Sequence, residues 1–230
     1  MSKVAVVTGA SRGIGREICK KLANEGYHAV AVARSEQPLT ELAHSYTNIS
    51  AIPTDLTDQR DVDKLINQLQ RDFNTVDILI NNAGALINKS FEDLTLDDWR
   101  SQLESNLISA VHITKKMLSI FSNDAHIVNI SSMGGFQGSA KFPGLAAYSV
   151  SKGALSILTE CLSVELSDKN IKANALCLGA VQTEMLEEAF PGIEAPLTAK
   201  EMGNYISNFA IEGSAFYNGK ILPVALEDPE

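Results

Sequence analysis

The sequence predicts a doubly wound α/β fold, in which helices cover both faces of a parallel sheet. Two observations support this prediction. Short apolar and β-branched runs alternate along the chain with longer segments of helical period. The short runs are apolar on both faces rather than at every second position, which is typical of strands buried inside a parallel sheet.

Each predicted element follows from one of these two patterns. The strands are predicted at VAVVT (Val4–Thr8), HAVAVA (His28–Ala33), ISAIP (Ile49–Pro53), VDILI (Val76–Ile80), HIVNI (His126–Ile130), IKANALCL (Ile171–Leu178) and KILPV (Lys220–Val224). The helices are predicted at Gly15–Glu25, Pro38–Ser45, Asp58–Phe73, Asp97–Phe121, Ser149–Ser167 and Ala199–Ala210.

No linker rich in Pro, Gly or Ser and no internal repeat divides the 230 residues. One domain, residues 1–230, is therefore expected. The least regular stretch is TEMLEEAFPGIEAP (Thr183–Pro196), and we expect a short substrate lid near 183–198.

The composition limits the partners that the chain can bind. Hydrophobic residues make up 45% and charged residues 20%, as in soluble globular proteins, and the formal net charge is −9. This charge repels nucleic-acid phosphates and anionic lipid surfaces, so neither nucleic acid nor a membrane is expected as a partner.

The cysteines, the histidines and the N-terminus point to a cytoplasmic protein without a metal site. Cys19, Cys161 and Cys177 are scattered, and neither they nor the four histidines have metal-ligand spacing. The N-terminal apolar run is too short for a signal peptide, and no apolar stretch reaches the roughly 20 residues that span a bilayer.

A glycine cluster follows the first predicted strand. In VTGASRGIG, the residues Gly9, Gly13 and Gly15 separate this strand from the first helix, with G-x-x-x-G-x-G spacing. Glycines here let backbone N–H groups and the helix N-terminus approach a pyrophosphate closely. The strand–turn–helix context therefore predicts a dinucleotide site.

The end of the second predicted strand indicates which dinucleotide binds. A carboxylate at this place would bind the free ribose 2′-hydroxyl of NAD. The sequence has Arg34 and Ser35 instead, and Arg12 of the glycine loop adds a second guanidinium. Two arginines suit a 2′-phosphate, so the predicted cofactor is NADP(H). The alternative is that Arg34 is an ordinary solvated charge, and Glu36 follows close behind it.

Tyr148 and Lys152 lie four residues apart in AAYSVSKGAL. If the stretch is helical, both side chains lie on one face. A neighbouring ammonium favours the phenolate, which would make the phenol a better acid or base near neutral pH. The alternative interpretation is a surface pair without function.

Five motifs in order give the sequence a family resemblance: TGASRGIG (Thr8–Gly15), DLTD (Asp55–Asp58), NNAG (Asn81–Gly84), NISS (Asn129–Ser132) and YSVSK (Tyr148–Lys152). With them the chain resembles the short-chain dehydrogenase/reductase family from Val4 to about Val224. The resemblance implies a Rossmann-type fold with a seven-stranded parallel sheet and NAD(P)-dependent oxidoreduction. It also implies a homo-oligomer, a dimer or a tetramer, built through the long helices Asp97–Phe121 and Ser149–Ser167.

The resemblance implies four catalytic residues, Asn106, Ser132, Tyr148 and Lys152. Tyr148 would protonate the substrate oxygen and Ser132 would donate a hydrogen bond to it. Lys152, together with the positive charge of the oxidised nicotinamide, is expected to lower the phenol pKa from about 10 and to bind ribose hydroxyls. Asn106 would hold a water that connects Lys152 to solvent. Ser131 competes with Ser132, but strand alternation points the two to opposite faces.

The resemblance also implies the cofactor contacts. They are Gly9, Ser11, Arg12, Gly13, Ile14, Gly15, Arg34, Ser35, Asp55, Leu56, Asn82, Ala83, Gly84, Tyr148, Lys152, Gly179, Val181 and Thr183. Asp55 also fits a turn cap, and Asn82 also fits a tie between strands. Leu178–Gly179 stands where the family has Pro-Gly, which makes that turn less rigid. The loop between Ser132 and Tyr148 is longer than the family commonly shows, and its Phe136, Phe142 and Leu145 fit either a substrate wall or an ordinary packed loop.

Two functions are consistent with these residues. The first is an NADPH-dependent carbonyl reductase or alcohol dehydrogenase, since the same residues serve both directions, acting on a small-molecule carbonyl or alcohol substrate of unspecified class. The second is a catalytically silent NADP(H)-binding regulatory or scaffold protein. Such proteins usually lose the catalytic tyrosine or lysine, whereas Tyr148 and Lys152 are both present.

Overall fold

The structure, a computed structural model, describes residues 2–226. Seven parallel strands form its main sheet: β1 (Val4–Thr8), β2 (His28–Ala33), β3 (Ile49–Pro53), β4 (Val76–Asn81), β5 (Phe121–Ser132), β6 (Lys172–Leu178) and β9 (Ile221–Val224). Their order is β3-β2-β1-β4-β5-β6-β9, so the chain reverses its winding direction between β1 and β4. Ligands of such sheets bind at the carboxyl ends of the strands beside this reversal. The predicted Rossmann-type fold is confirmed.

The helices that cover the sheet are α1 (Gly13–Asn24), α2 (Glu36–His44), α3 (Gln59–Asp72), α4 (Leu96–Leu103), α5 (Ser109–Met117), α6 (Ala146–Glu165), α7 (Glu184–Ala189) and α8 (Ala199–Glu212). A separate pair of two-residue strands, β7 (Val181–Gln182) and β8 (Leu197–Thr198), flanks α7. No helix within residues 2–226 has the length and apolar character that crossing a bilayer requires.

The helix predicted over Asp97–Phe121 is present from Leu96 to Met117, but it is not one regular α-helix and it ends before Phe121. A π-helical turn, Glu104–Ile108, lies between α4 and α5, and Phe121 already belongs to β5. The turn contains Asn106, whose buried amide bonds to a neighbouring segment. A π turn changes the direction of the side chains after it, and such turns are frequent at functional sites.

The strand β5 also starts five residues before the predicted His126. Its first part is polar, and Asp124 has a positive φ of 72°, which fits the shift in β4–β5 pairing between Val76 and Ile78. The polar sequence hid this part of the strand, because the prediction relied on apolar runs.

Alternation along β1 builds the two halves of the core. Ala5 and Val7 pack in the cluster that contains Ile18 of α1, whereas Val6 packs in the cluster that contains Leu65 of α3. Successive strand residues point to opposite faces, so each face of the sheet acquires its own helical layer.

A buried histidine of β5 joins the sheet to α8. The Nδ1 atom of His126 lies 2.9 Å from the carbonyl of Ala210, and its Nε2 lies 3.0 Å from the amide nitrogen of Asn174. The amide of Asn174 is fixed by the backbone N–H of Lys220, which donates to Oδ1, and by the carbonyl of Tyr217, which accepts from Nδ2. His126 is therefore a neutral Nδ1–H tautomer, and burial lowers its pKa to about 4.

We expect this histidine to make the stability of the fold sensitive to acid. Its pKa is lower in the folded chain than the value of about 6.5 in an unfolded one, so the unfolded state binds the extra proton first as the pH falls. Stability should be complete above about pH 6.5 and fall towards pH 4, by about 3 kcal/mol from this group. Urea unfolding of the wild type and of His126→Gln at pH 7 and pH 4.5 measures it. The His126→Gln variant should lose less stability over this range than the control His44→Gln, and an equal loss in both would contradict the assignment.

Candidate active site

The candidate site lies at the carboxyl edge of the sheet. The loops after β1, β4, β5 and β6 meet there, and the N-terminal turns of α6 supply the tyrosine and the lysine of the sequence motif. The structure thus brings the glycine loop, the NNAG segment and the catalytic residues predicted on β5 and α6 to one edge of the sheet, beside the winding reversal.

The glycine loop has a shape that side chains would block. Gly9 and Gly13 have φ values of 68° and 54°, in the left-handed region that favours glycine. A Cβ on Gly15 would overlap the carbonyl of Gly9 and lie 2.6 Å from the amide nitrogen of Asn82. The N-cap residue Arg12 makes no side-chain capping bond to α1, so the first N–H groups of this helix have no cap. This cradle fits a pyrophosphate.

Asn82 ties the glycine loop to β4. Its side-chain amide donates to the carbonyls of Thr8 and Gly9 at 3.0 and 3.3 Å. The hydroxyl of Thr8 in turn accepts from the backbone N–H groups of Asn82 and Ala83, both at 3.0 Å. Of the two interpretations of Asn82, the tie between strands is the one that the structure shows.

Lys152 is a buried cation, with 4% of its surface exposed. Its Nζ donates to the carbonyl of Ile130 at 2.9 Å, and burial lowers its pKa to about 8. A Cβ on Gly84 would lie 3.3 Å from this Nζ. The segment after β4 is held by Asn106, which accepts from the N–H of Ala85 at 2.8 Å and donates to its carbonyl at 3.0 Å.

Tyr148 and Lys152 share one face of α6, as predicted. The ammonium of Lys152 lies 5.9 Å from the centre of the Tyr148 ring. Among the protein's own groups burial has the larger effect and raises the pKa of Tyr148, so the lowering expected from Lys152 together with the oxidised nicotinamide stays a prediction. A hydrogen bond from Ser132 opposes this rise.

Ser131 and Ser132 point to opposite sides of β5. The hydroxyl of Ser131 is buried between β5 and α6, where it donates to the carbonyl of Lys152 at 2.8 Å. The hydroxyl of Ser132 accepts from the N–H of Gly134 at 3.1 Å and contacts Tyr148. The structure thus brings Ser132, rather than Ser131, to the phenol.

Several predicted cofactor residues have other contacts. The carboxylate of Asp55 accepts from the N–H and the hydroxyl of Thr57 at 2.9 and 2.7 Å, which is the turn cap considered above. Leu56 is buried in the core layer of α3. Arg34 and Ser35 are exposed at the start of α2, and within residues 2–226 Arg34 forms no ion pair.

The segment after β6 is more regular than predicted. The N–H of Gly179 donates to the carbonyl of Val224 at 2.9 Å, and Val181 begins β7. The hydroxyl of Thr183 caps α7 by accepting from the N–H of Leu186 at 3.2 Å. Three acidic residues make this helix hard to recognise from apolar periodicity: Glu184, Glu187 and Glu188.

Comparison with known proteins agrees with this geometry. The family model for short chain dehydrogenases matches residues 3–194. The chain belongs to the short-chain dehydrogenase/reductase family. It is 30% identical to an uncharacterized oxidoreductase of Staphylococcus epidermidis over 89% of both chains. It is 33% identical to an oxidoreductase of Botryotinia fuckeliana, over 80% of this chain and 68% of the relative.

A solved structure supports the same assignment. A short-chain dehydrogenase/reductase double mutant of Serratia marcescens superposes with a TM-score of 0.87 at 28% identity, over 97% of this chain and 96% of the other. The chain is thus an oxidoreductase of CH–OH and C=O groups, from a family that uses NAD(P)(H), acts on small molecules and is typically oligomeric.

Two contacts of this dehydrogenase/reductase escaped the sequence argument. Arg12 pairs with Glu188 of α7, and the amide of Asn88 donates to the carbonyl of Ala189 at 3.0 Å. Both connect α7 to loops that are distant in sequence, by 176 and 101 residues. Local patterns carry no signal for such pairs, although the polar Asn88, four residues after the end of the NNAG motif, is a candidate for a loop contact.

Proposed function

We propose that this oxidoreductase reduces a small ketone or aldehyde with NADPH and catalyses the reverse oxidation of the alcohol. The observation that supports this most strongly is the arrangement around one phenol. A hydrogen bond from Ser132 acts on the Tyr148 phenol, while Lys152 lies buried 5.9 Å from the ring with Gly84 beside its amine.

A bound NADPH would supply the hydride that reduces the carbonyl carbon. Tyr148 donates its phenolic proton to the carbonyl oxygen as the charge on this oxygen develops. The hydroxyl of Ser132 accepts from the N–H of Gly134 and lies beside the phenol, so it can turn its own proton from the phenol to the substrate oxygen and stabilise the charge there. The products are the alcohol, the oxidised coenzyme and a phenolate on Tyr148.

Lys152 stabilises this phenolate by its charge. Its bond to the carbonyl of Ile130 keeps the ammonium on the phenol side of α6, and its amine is also placed to bind ribose hydroxyls. We propose that Asn106 holds the water through which a proton returns from solvent by way of Lys152. The bonds of Asn106 to Ala85 fix its position for that role.

The phosphates and the adenosine half of the coenzyme are proposed to bind along the rest of this edge of the sheet. The glycine loop from Gly9 to Gly15, including Ser11 and Ile14, would hold the pyrophosphate. Arg12, Arg34 and Ser35 would bind the 2′-phosphate, since no carboxylate stands at the end of β2. The remaining proposed contacts are Asp55, Leu56, Asn82, Ala83, Gly84, Gly179, Val181 and Thr183.

The substrate pocket is proposed to lie between the long loop after Ser132 and the lid segment near 183–198. Leu145 of this loop is buried and Phe142 is 40% exposed, so the loop offers apolar surface beside Tyr148. An apolar wall suits the carbon skeleton of a small ketone or aldehyde.

We also propose a homo-oligomer. Val150, Ile157 and Val164 recur every seven residues along α6 and are 52%, 62% and 73% exposed. Such a row covers one face of a helix, and a contiguous exposed apolar face marks an association surface. Light scattering should give a dimer or tetramer mass, and a monomer mass would contradict it.

Tyr148→Phe tests the acid directly. Removing the phenolic proton should lower NADPH oxidation across a panel of carbonyl compounds by about 10²- to 10⁴-fold while NADPH binding persists. Absorbance of the reduced coenzyme measures turnover. Tyr205→Phe, on α8, is the matched control and should keep full turnover. Unchanged turnover in Tyr148→Phe would contradict the assigned role, and a wild type that binds NADPH but reduces nothing would favour the silent NADP(H)-binding protein.

Arg34→Ala tests the coenzyme preference. Loss of a guanidinium that binds the 2′-phosphate should weaken NADPH binding about tenfold and leave NADH binding within about twofold. Fluorescence titration of both reduced coenzymes measures this, with Arg100→Ala on α4 as the control. Equal weakening of the two coenzymes would remove the argument for NADP(H).

A further inference from the structure

The guanidinium of Arg12 is already occupied by a carboxylate. Its Nη1 and Nη2 donate to the two carboxylate oxygens of Glu188 at 2.5 and 3.2 Å. This two-pronged geometry joins the glycine loop to α7. Both side chains are at least half exposed, and ion pairs at such sites contribute little to stability. A contribution to the stability of the fold is therefore a weak explanation for this ion pair, and we consider a role in coenzyme binding.

The helix α7 lies against the glycine loop. A Cβ on Gly13 would lie 3.4 Å from a carboxylate oxygen of Glu184 and 3.6 Å from Cγ2 of Thr183. At its other end the carbonyl of Ala189 accepts from Asn88 at 3.0 Å. The helix is thus held from two sides, and at the glycine loop its ion pair is with the guanidinium of Arg12, a proposed ligand of the 2′-phosphate.

We propose that Glu188 sets coenzyme selectivity by competing with the 2′-phosphate of NADPH for Arg12. This inference rests on the proposed function. A guanidinium binds a carboxylate and a phosphate through the same planar fork of N–H donors, so the two anions exclude each other there. NADH has no 2′-phosphate and does not compete. Arg12 and Arg34 favour NADPH over NADH, and Glu188 therefore makes this difference in affinity smaller.

The same exchange couples the coenzyme to the lid. When a 2′-phosphate takes the donors of Arg12, α7 loses its ion pair with the glycine loop and keeps its packing beside Gly13 and the bond of Ala189 with Asn88. NADPH thereby loosens the segment near 183–198, whereas NADH leaves the contact in place. The carboxylate of Glu184 also lies at the glycine loop, close enough to act on Arg12, so its negative charge adds to the repulsion between α7 and an incoming phosphate.

Glu188→Gln and Glu187→Gln test the competition. Both remove one charge from the same helix, but Glu187 accepts from the N–H of Gly192 at 3.2 Å instead of pairing with Arg12. Fluorescence titration of each variant with NADPH and with NADH gives the four dissociation constants. In Glu188→Gln the value for NADPH should fall about three- to fivefold, and that for NADH should stay within about twofold. Glu187→Gln should keep the wild-type ratio of the two.

The outcomes separate this inference from the proposed function. Suppose that the wild type binds NADPH more tightly than NADH. If Glu188→Gln then has the same ratio of the two dissociation constants, or binds NADPH more weakly, only the role of Glu188 would be overturned. A wild type that binds neither coenzyme would overturn the proposed function, and the inference with it.

Discussion

The site is organised around a positive charge that the fold buries. The ammonium of Lys152 lies at the carboxyl end of β5, where its protein partner is the carbonyl of Ile130 at 2.9 Å. Burial of an ammonium is unfavourable, and for this reason the pKa of Lys152 is lowered to about 8. A cation under this constraint is stabilised by any negative charge that forms beside it, such as the phenolate that we propose for Tyr148 after proton transfer.

The register between β5 and α6 sets the position of this cation. Asn129 and Ser131 of β5 face the helix, where Asn129 donates to the hydroxyl of Thr159 at 2.8 Å and Ser131 donates to the carbonyl of Lys152 at 2.8 Å. Asn129 also accepts from Asn81 of β4 at 2.8 Å, which ties in the neighbouring strand. These bonds hold α6 against β5 at two positions along the helix. The first turn of the helix therefore brings Tyr148 to Ser132.

Much of this could be predicted because it depends on local pattern. Buried parallel strands are apolar throughout, and a four-residue spacing puts Tyr148 and Lys152 on one helix face. Other features depend on tertiary environment. The π turn lies where the amide of Asn106 bonds to Ala85, 21 residues away in sequence, and the rise in the pKa of Tyr148 comes from burial. Glu188 reaches Arg12 across 176 residues of sequence, which no local pattern encodes.

The central claim is that the buried charge of Lys152, together with bound oxidised coenzyme, makes the phenol of Tyr148 acidic. Carbon-13 NMR of the chain labelled at the tyrosine ζ carbon measures that pKa, with Tyr148→Phe used to assign the signal. With saturating NADP⁺, the pKa should fall below about 10 in the wild type and stay above it in Lys152→Met. Equal pKa values in the two proteins, or a wild-type value that NADP⁺ does not lower, would contradict the account.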